Sequence, residues 1–383
     1  MIYFDNAATT FPKPPKVIEA VLKALTEVGA NPGRGSYKTA REASEIVFRT
    51  RLIAAEFFGA EPENVVFTKN CTEALNIAIK GTIMGLYKGE KLHVITSQME
   101  HNSVLRPLET LKRRGIIEYS IMKFSYSPDI TVENFRSLIK RNTALVVLTN
   151  ASNVFGGVLP IREIGDLTRK KGITFIVDCA QTAGSIETTL EKLNADIICT
   201  AGHKGLYGPM GTGLMITKGQ KMETLYEGGT GSASSILTQP DFYPDRFEAG
   251  TIALPSIAGL YEGIKYASRD MLAEYEREME ITRFIYEALR EDNRIELYSP
   301  YPENYSNMPI ISFNVKGRDS SYVGEMLSMD SIAVRTGFHC AYLSHKAHRT
   351  ASKGTVRISL SKQNNMSEAE GFLYKLKTLL NNT

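Results

Sequence analysis

Ile173-Thr174-Phe175-Ile176-Val177-Asp178-Cys179-Ala180-Gln181 is the stretch from which the fold is read: an apolar, β-branched run of strand length with an acidic residue at its tip. Residues 161–171 precede it with apolar side chains at three- and four-residue spacing, as in an amphipathic helix, and a second apolar run, Ala195-Asp196-Ile197-Ile198-Cys199, follows. Further out lie Asn64-Val65-Val66-Phe67-Thr68, Leu92-His93-Val94-Ile95-Thr96 and Ala144-Leu145-Val146-Val147-Leu148, separated by helical spacing over residues 72–86, 103–114 and 131–141. Strands that alternate with crossover helices predict a mostly parallel, doubly wound α/β sheet. Ligands of such sheets bind beyond the carboxyl ends of the strands, so chemistry is sought just after each apolar run.

After Pro255 the rhythm changes to a long charged helical stretch through Glu280. Strands follow near residues 310–315 and 356–360, and an amphipathic helix runs from Ser367. We expect a large domain over residues 15–255 and a smaller α+β domain made of residues 1–14 and 256–383, packed together and joined by a continuous helix. With 383 residues, 43% hydrophobic and 23% charged, the chain is of ordinary globular composition and too long for one core. Its 45 Lys and Arg are interspersed with 42 Asp and Glu, so no basic stripe for nucleic acid is present. The start of the sequence shows no leader pattern, and no apolar run reaches membrane-span length, from which a cytoplasmic protein is expected. Cys71, Cys179, Cys199 and Cys340 are far apart with no CxxC pair, which suits neither a disulfide framework nor a zinc or other metal site.

Three runs end in residues that carry chemistry. After Thr68 comes Lys69-Asn70-Cys71-Thr72, a turn opening a helix, whose free N–H groups suit a phosphate or whose Thr72 merely caps the helix. Asp178 ends a buried strand and needs a cationic partner. Cys199-Thr200-Ala201-Gly202-His203-Lys204-Gly205 brings a lysine in a small-residue loop to the same sheet edge. A lysine that forms a Schiff base and an aspartate that holds a protonated pyridine nitrogen are what pyridoxal 5'-phosphate (PLP) chemistry requires. Taken singly, such residues are more often a surface lysine and a helix-capping aspartate; their neighbours decide.

Those neighbours form eight motifs: Tyr3-Phe4-Asp5-Asn6-Ala7-Ala8-Thr9-Thr10, Cys71-Thr72-Glu73-Ala74-Leu75-Asn76, Glu100-His101-Asn102-Ser103, Ser152-Asn153-Val154-Phe155-Gly156, Asp178-Cys179-Ala180-Gln181, Gly202-His203-Lys204, Arg246-Phe247-Glu248-Ala249-Gly250-Thr251 and Arg335-Thr336-Gly337-Phe338-His339-Cys340. In this order they resemble the class V aminotransferase family of fold-type I PLP enzymes over nearly the whole chain, and within it the cysteine desulfurase and selenocysteine lyase branch. The resemblance implies a seven-stranded, mostly parallel sheet in the large domain. It also implies Lys204 as the Schiff-base lysine, Asp178 on the pyridine nitrogen, His101 stacked on the ring, and Gln181 and Asn153 toward the phenolic oxygen or substrate. Cys71, Thr72, Thr200 and His203 are implied around the cofactor phosphate, with Gly250 and Thr251 supplied by the second subunit of a homodimer.

Arg335-Thr336-Gly337-Phe338-His339-Cys340-Ala341 sets a thiol beside a histidine and close to an arginine, and positive neighbours favour the nucleophilic thiolate. Cys71, Cys179 and Cys199 sit in or beside apolar runs and read as buried small hydrophobes. The Cys340 setting resembles the short-loop group II desulfurases, which implies conversion of L-cysteine to L-alanine with sulfur held on Cys340 as a persulfide for an acceptor protein or thiol. Selenocysteine lyase and class V aminotransferase are the alternatives. Arg357, at a strand start in Val356-Arg357-Ile358-Ser359, is expected to grip the substrate carboxylate with its two-pronged guanidinium, and Arg34 to face the same site. Two features depart from the family: Gly33 stands where histidine is common, and Tyr342-Leu343-Ser344-His345-Lys346-Ala347-His348-Arg349 is unusually basic, either a docking surface for an acidic acceptor or a solvated loop.

Overall fold

The computed structural model describes residues 1–33 and 35–381. Thirteen strands lie among them: β1 (Ile2–Tyr3), β2 (Val65–Thr68), β3 (Leu92–Ser97), β4 (Ile117–Met122), β5 (Thr143–Thr149), β6 (Thr174–Asp178), β7 (Ile197–Ala201), β8 (Gly213–Thr217), β9 (Ile295–Leu297), β10 (Ile310–Val315), β11 (Ile332–Ala333), β12 (Arg335–Gly337) and β13 (Thr355–Ser359). Seven form one sheet in the order β2-β8-β7-β6-β5-β3-β4, in which β8 alone runs against its neighbours, as a mostly parallel sheet requires. Side chains alternate across it. Val146, Leu148, Phe175, Val177 and Ile198 enter one hydrophobic core, while Leu145, Val147, Ile176, Ile197 and Cys199 enter a second on the opposite face.

Two strands of this sheet, β4 and β8, lie outside the apolar runs read from the sequence. The edge strand β4 mixes Glu118, Tyr119 and Ser120 with its apolar residues because water covers part of it, and β8 follows a turn-rich stretch. The helix predicted over residues 131–141 instead occupies Pro128–Arg136, with Pro128 at its first turn, where proline's fixed φ suits a helix start.

A four-stranded antiparallel sheet, β12-β13-β10-β9, and the short parallel pair β1-β11 make up the other layer. Its core gathers Phe4 with Ile281, Phe313, Ile358 and Phe372. The expected continuous helix is two helices, Leu254–Ala267 and Met271–Glu291, because Asp270 adopts left-handed backbone (φ 51°) that an α-helix cannot propagate through. The first of them crosses the expected boundary at residue 255 and sends Ile257, Leu260 and Ile264 into the core that holds Phe175 and Ile198. No helix among the described residues is long and apolar enough to cross a membrane.

Candidate active site

The parallel strands deliver their following residues to one cavity of about 180 Å³ at the carboxyl edge of the sheet. From β2 come Asn70, Cys71 and Thr72; from β3, His101 and Ser103; from β5, Asn153; from β6, Asp178 and Gln181; from β7, His203 and Lys204. The helix Cys71–Leu86 begins here with Asn70 as its cap, whose side chain accepts the Glu73 N–H at 2.9 Å. The N–H groups of Cys71 and Thr72 belong to the first turn, which an α-helix leaves without internal partners. Only glycine permits this approach of turn to sheet, since a Cβ on Gly213 of β8 would stand 2.4 Å from the Asn70 carbonyl carbon.

Residues 5–13 clamp the other side. The His203 carbonyl accepts from Lys13 Nζ at 2.7 Å and Thr9 Oγ1 at 3.0 Å, the Lys204 carbonyl from Thr10 Oγ1 at 3.1 Å, and Gln181 Nε2 donates to the Ala7 carbonyl at 3.2 Å. Glu100 ties the turn before His101 to β5, its Oε1 accepting from Ser97 Oγ at 2.5 Å and Thr149 N–H at 3.0 Å, and burial pushes its carboxyl up to about 8. Neither Glu100 nor the clamp was assigned from sequence, because both act through contacts made only once strands are paired.

Burial governs the site's electrostatics. It lowers Lys204, against the pull of Asp178, and so favours the neutral amine that attacks a carbonyl. It also raises the Asp178 carboxyl, whose Oδ1 accepts the Ala180 N–H at 2.9 Å and faces Cys71 Sγ at 3.5 Å. His101 is held at about 4 by burial first and then by Lys204 and Arg106. Its Nδ1 accepts the Ser103 N–H at 3.1 Å, so the proton of the neutral ring sits on Nε2. Burial likewise holds His203 near 4, and its buried Nδ1 has no partner among the described residues. A buried carboxyl short of cationic partners, an unpaired buried imidazole nitrogen and free helix amides together fit an aromatic ring with a basic nitrogen and a phosphoryl group.

Cys340 is exposed, and the other three cysteines are buried. Its turn is strained, since His339 and Cys340 both have positive φ (48° and 58°), a cost of about 1–3 kcal/mol for each non-glycine residue. Two hydrogen bonds from the site hold it: Asn102 N–H to the Cys340 carbonyl at 2.8 Å, and Asn153 Nδ2 to the His339 carbonyl at 2.7 Å. The expected positive histidine beside the thiol is not found. His339 is buried toward β13, with Nε2 3.1 Å from the Thr355 carbonyl, and burial drives it down to about 2, so it is neutral. The basic character of residues 342–349 is also reduced. His345 is buried with Nδ1 2.8 Å from Thr350 Oγ1, and His348 stacks on Phe155 with ring centroids 3.8 Å apart, leaving Lys346 and Arg349 exposed.

Arg357 is 2% exposed, and its fork is occupied: one nitrogen donates to the Asn153 carbonyl at 2.9 Å and another to Asp5 Oδ1 at 2.7 Å. Arg335 lies opposite it in the β12–β13 register. Neither Arg357 nor Cys340 lines the cavity itself: Arg357 donates to the carbonyl of the lining residue Asn153, and the Cys340 carbonyl is held by Asn102, which follows the lining residue His101. Thr200 is not brought to it at all, because as a mid-strand residue of β7 it points its buried hydroxyl at the Cys179 carbonyl, 3.3 Å away. Gly250 and Thr251 line a different cavity of about 260 Å³ with Arg51 and Glu248. Arg34 lies outside the described residues.

The model of the family described as aminotransferase class-V matches residues 2–372. A probable cysteine desulfurase of Pyrococcus abyssi is 32% identical over 99% of this chain and 94% of its own length. The cysteine desulfurase IscS of Pectobacterium carotovorum is 29% identical over 90% of this chain and 81% of its own. Among solved structures, the apo cysteine desulfurase of Thermococcus onnurineus superposes with a TM-score of 0.90 at 31% identity, covering 100% of this chain and 95% of that one. With its seven-stranded sheet, its cavity at the strand ends and a family match that spans nearly its full length, the chain belongs to the aminotransferase class-V family.

Proposed function

We propose that this protein is a PLP-dependent L-cysteine desulfurase in which Lys204 anchors the cofactor and Cys340 receives the sulfur. The observation that carries the reading is the bond from Asn102 N–H to the Cys340 carbonyl, which fastens an exposed thiol to the residue after the cavity's own histidine. Relatives named cysteine desulfurase across nearly the full chain support it. Asp178 holds the ring nitrogen, His101 covers the ring, and Thr72, His203 and the amides of residues 71 and 72 hold the phosphate; Gln181 and Asn153 line the substrate side. When bound, the cofactor supplies an electron sink for the substrate's α-carbon.

The chain's own residues do the rest. Lys204 Nζ, whose basicity burial lowers, takes the α-proton and later returns a proton to carbon. Cys340 Sγ bonds to the substrate sulfur as the substrate's Cβ–S bond breaks, so L-cysteine and the enzyme thiol become L-alanine and a Cys340 persulfide. Arg357 receives the α-carboxylate on the arm that Asp5 occupies. The persulfide then passes to an acceptor protein or thiol. In the same reading the protein is a cytoplasmic homodimer in which Gly250 and Thr251 of the second copy complete the phosphate site. The large domain covers residues 15–255, extended by the helix that ends at Ala267, and the small domain holds residues 1–14 and the remainder.

Incubation with L-cysteine tests this directly. Alanine should form, and the peptide holding Cys340 should gain the mass of one sulfur atom. Cys340→Ala should abolish both, and unchanged alanine production by that variant overturns the sulfur-accepting role. Turnover of L-selenocysteine that survives Cys340→Ala while L-cysteine turnover is lost would mark a selenocysteine lyase. Pyridoxamine phosphate without sulfide would mark an aminotransferase.

A further inference from the structure

The Ser103 hydroxyl joins two residues that the proposed reading gives separate tasks. It is 2.7 Å from His101 Nδ1 and 2.7 Å from Thr72 Oγ1; Ser103 itself is only 6% exposed, while Thr72 at the outer end of the chain of bonds is exposed. Each hydroxyl has one proton to give. Because His101 Nδ1 already accepts the Ser103 N–H, Ser103 O–H also donates to Nδ1, and Thr72 O–H donates to Ser103 Oγ. That order leaves Thr72 without a proton for anything else.

A phosphate dianion only accepts hydrogen bonds, so Thr72 can bond one only by turning its proton toward it. The Thr72–Ser103 bond then survives only if Ser103 becomes the donor, and Ser103 presents a lone pair to His101 Nδ1. A lone pair at that distance favours a proton on Nδ1 and hence the imidazolium, opposed in part by the Ser103 N–H, which loses its acceptor. We propose that Ser103 is a positioning residue that couples phosphate at Thr72 to protonation of His101 by reversing its hydroxyl. The proposal rests on the reading that a cofactor phosphate sits at Thr72. Lys204, Arg106, Arg335 and Arg357 are the charged groups that face His101, from the loop after β7, its own helix, β12 and β13, and they oppose its protonation with or without phosphate.

The test compares protein loaded with pyridoxal 5'-phosphate and protein loaded with pyridoxal, which lacks the phosphate. Loading is confirmed by absorbance, and the His101 ring nitrogens are followed by ¹⁵N NMR across pH, assigned with His101→Gln. The phosphate should raise the pKa of His101 by about one unit more in the wild type than in Ser103→Ala, where only through-space attraction remains. Ser103→Thr, which keeps the hydroxyl, should restore the wild-type difference. Equal differences in wild type and Ser103→Ala overturn the coupling while leaving the cofactor reading intact. Failure of pyridoxal 5'-phosphate to load overturns the cofactor reading and the coupling with it.

Discussion

Asp5 lies 2.7 Å from the buried guanidinium of Arg357, to which the proposed function assigns the substrate carboxylate. Asp5→Asn keeps the shape and one acceptor oxygen but removes the competing charge, so KM for L-cysteine should fall several-fold with little change in kcat, read from steady-state rates. Arg357→Lys loses the paired geometry and should raise KM by roughly tenfold or more. A rise in KM for Asp5→Asn would show that Asp5 orients the arginine and does not compete with substrate. Residues at this scale were legible where local context was enough: Lys204, Asp178 and Thr72 follow apolar runs, and the sheet's geometry brings such residues to one edge, whereas His101 came only with the family resemblance. Asp5 was not, because its partner is 352 positions away. The charge state of His339 was misread for a related reason: adjacency to Cys340 in sequence says nothing about which way a left-handed turn sends the ring.

Among the elements, the meeting of β8 with the turn before the helix Cys71–Leu86 is the least tolerant. Gly213→Ala places a methyl 2.4 Å from the Asn70 carbonyl carbon, and the backbone it meets cannot swing aside as a side chain would. Stability should drop by about 1–3 kcal/mol, measured by denaturant unfolding, and PLP affinity should weaken with it because the same turn presents the amides that the proposed function assigns to the phosphate. Unchanged PLP affinity in a destabilised Gly213→Ala would separate the turn from the phosphate. Buried central strands such as β5 and β6 were readable as continuous apolar runs. The half-wet edge strand β4 and the helix break at Asp270 were not, since neither a partly solvated strand nor a single left-handed residue disturbs the apolar spacing enough to be seen.

At the scale of the molecule, buried ionisable groups set opposing limits on stability. His101 and His203, held near 4, and His339, held near 2, take up protons more readily when unfolded, so the stability they lend is complete above about pH 6.5 and is lost as pH falls toward 4. Glu100 and Glu278 are raised to about 8 and act the other way: the folded state keeps their protons, and stability falls as pH rises from the ordinary carboxyl range through 8. Thermal unfolding of the cofactor-free protein should show a maximum near neutrality. Glu278→Gln should flatten the fall in stability all the way from the ordinary carboxyl range through 8, and leave only the limb below that range unchanged; an unaltered alkaline limb would mean that Glu278 ionises freely in the folded protein. The clamp formed by residues 5–13 has a consequence for biosynthesis. Asp5 waits for Arg357, and β1 pairs with β11, so a nascent chain that has already left the ribosome as far as Lys204 still lacks both the arginine and the thiol. In the proposed reading, in which Cys340 accepts the sulfur, an unfinished chain cannot yet complete the reaction.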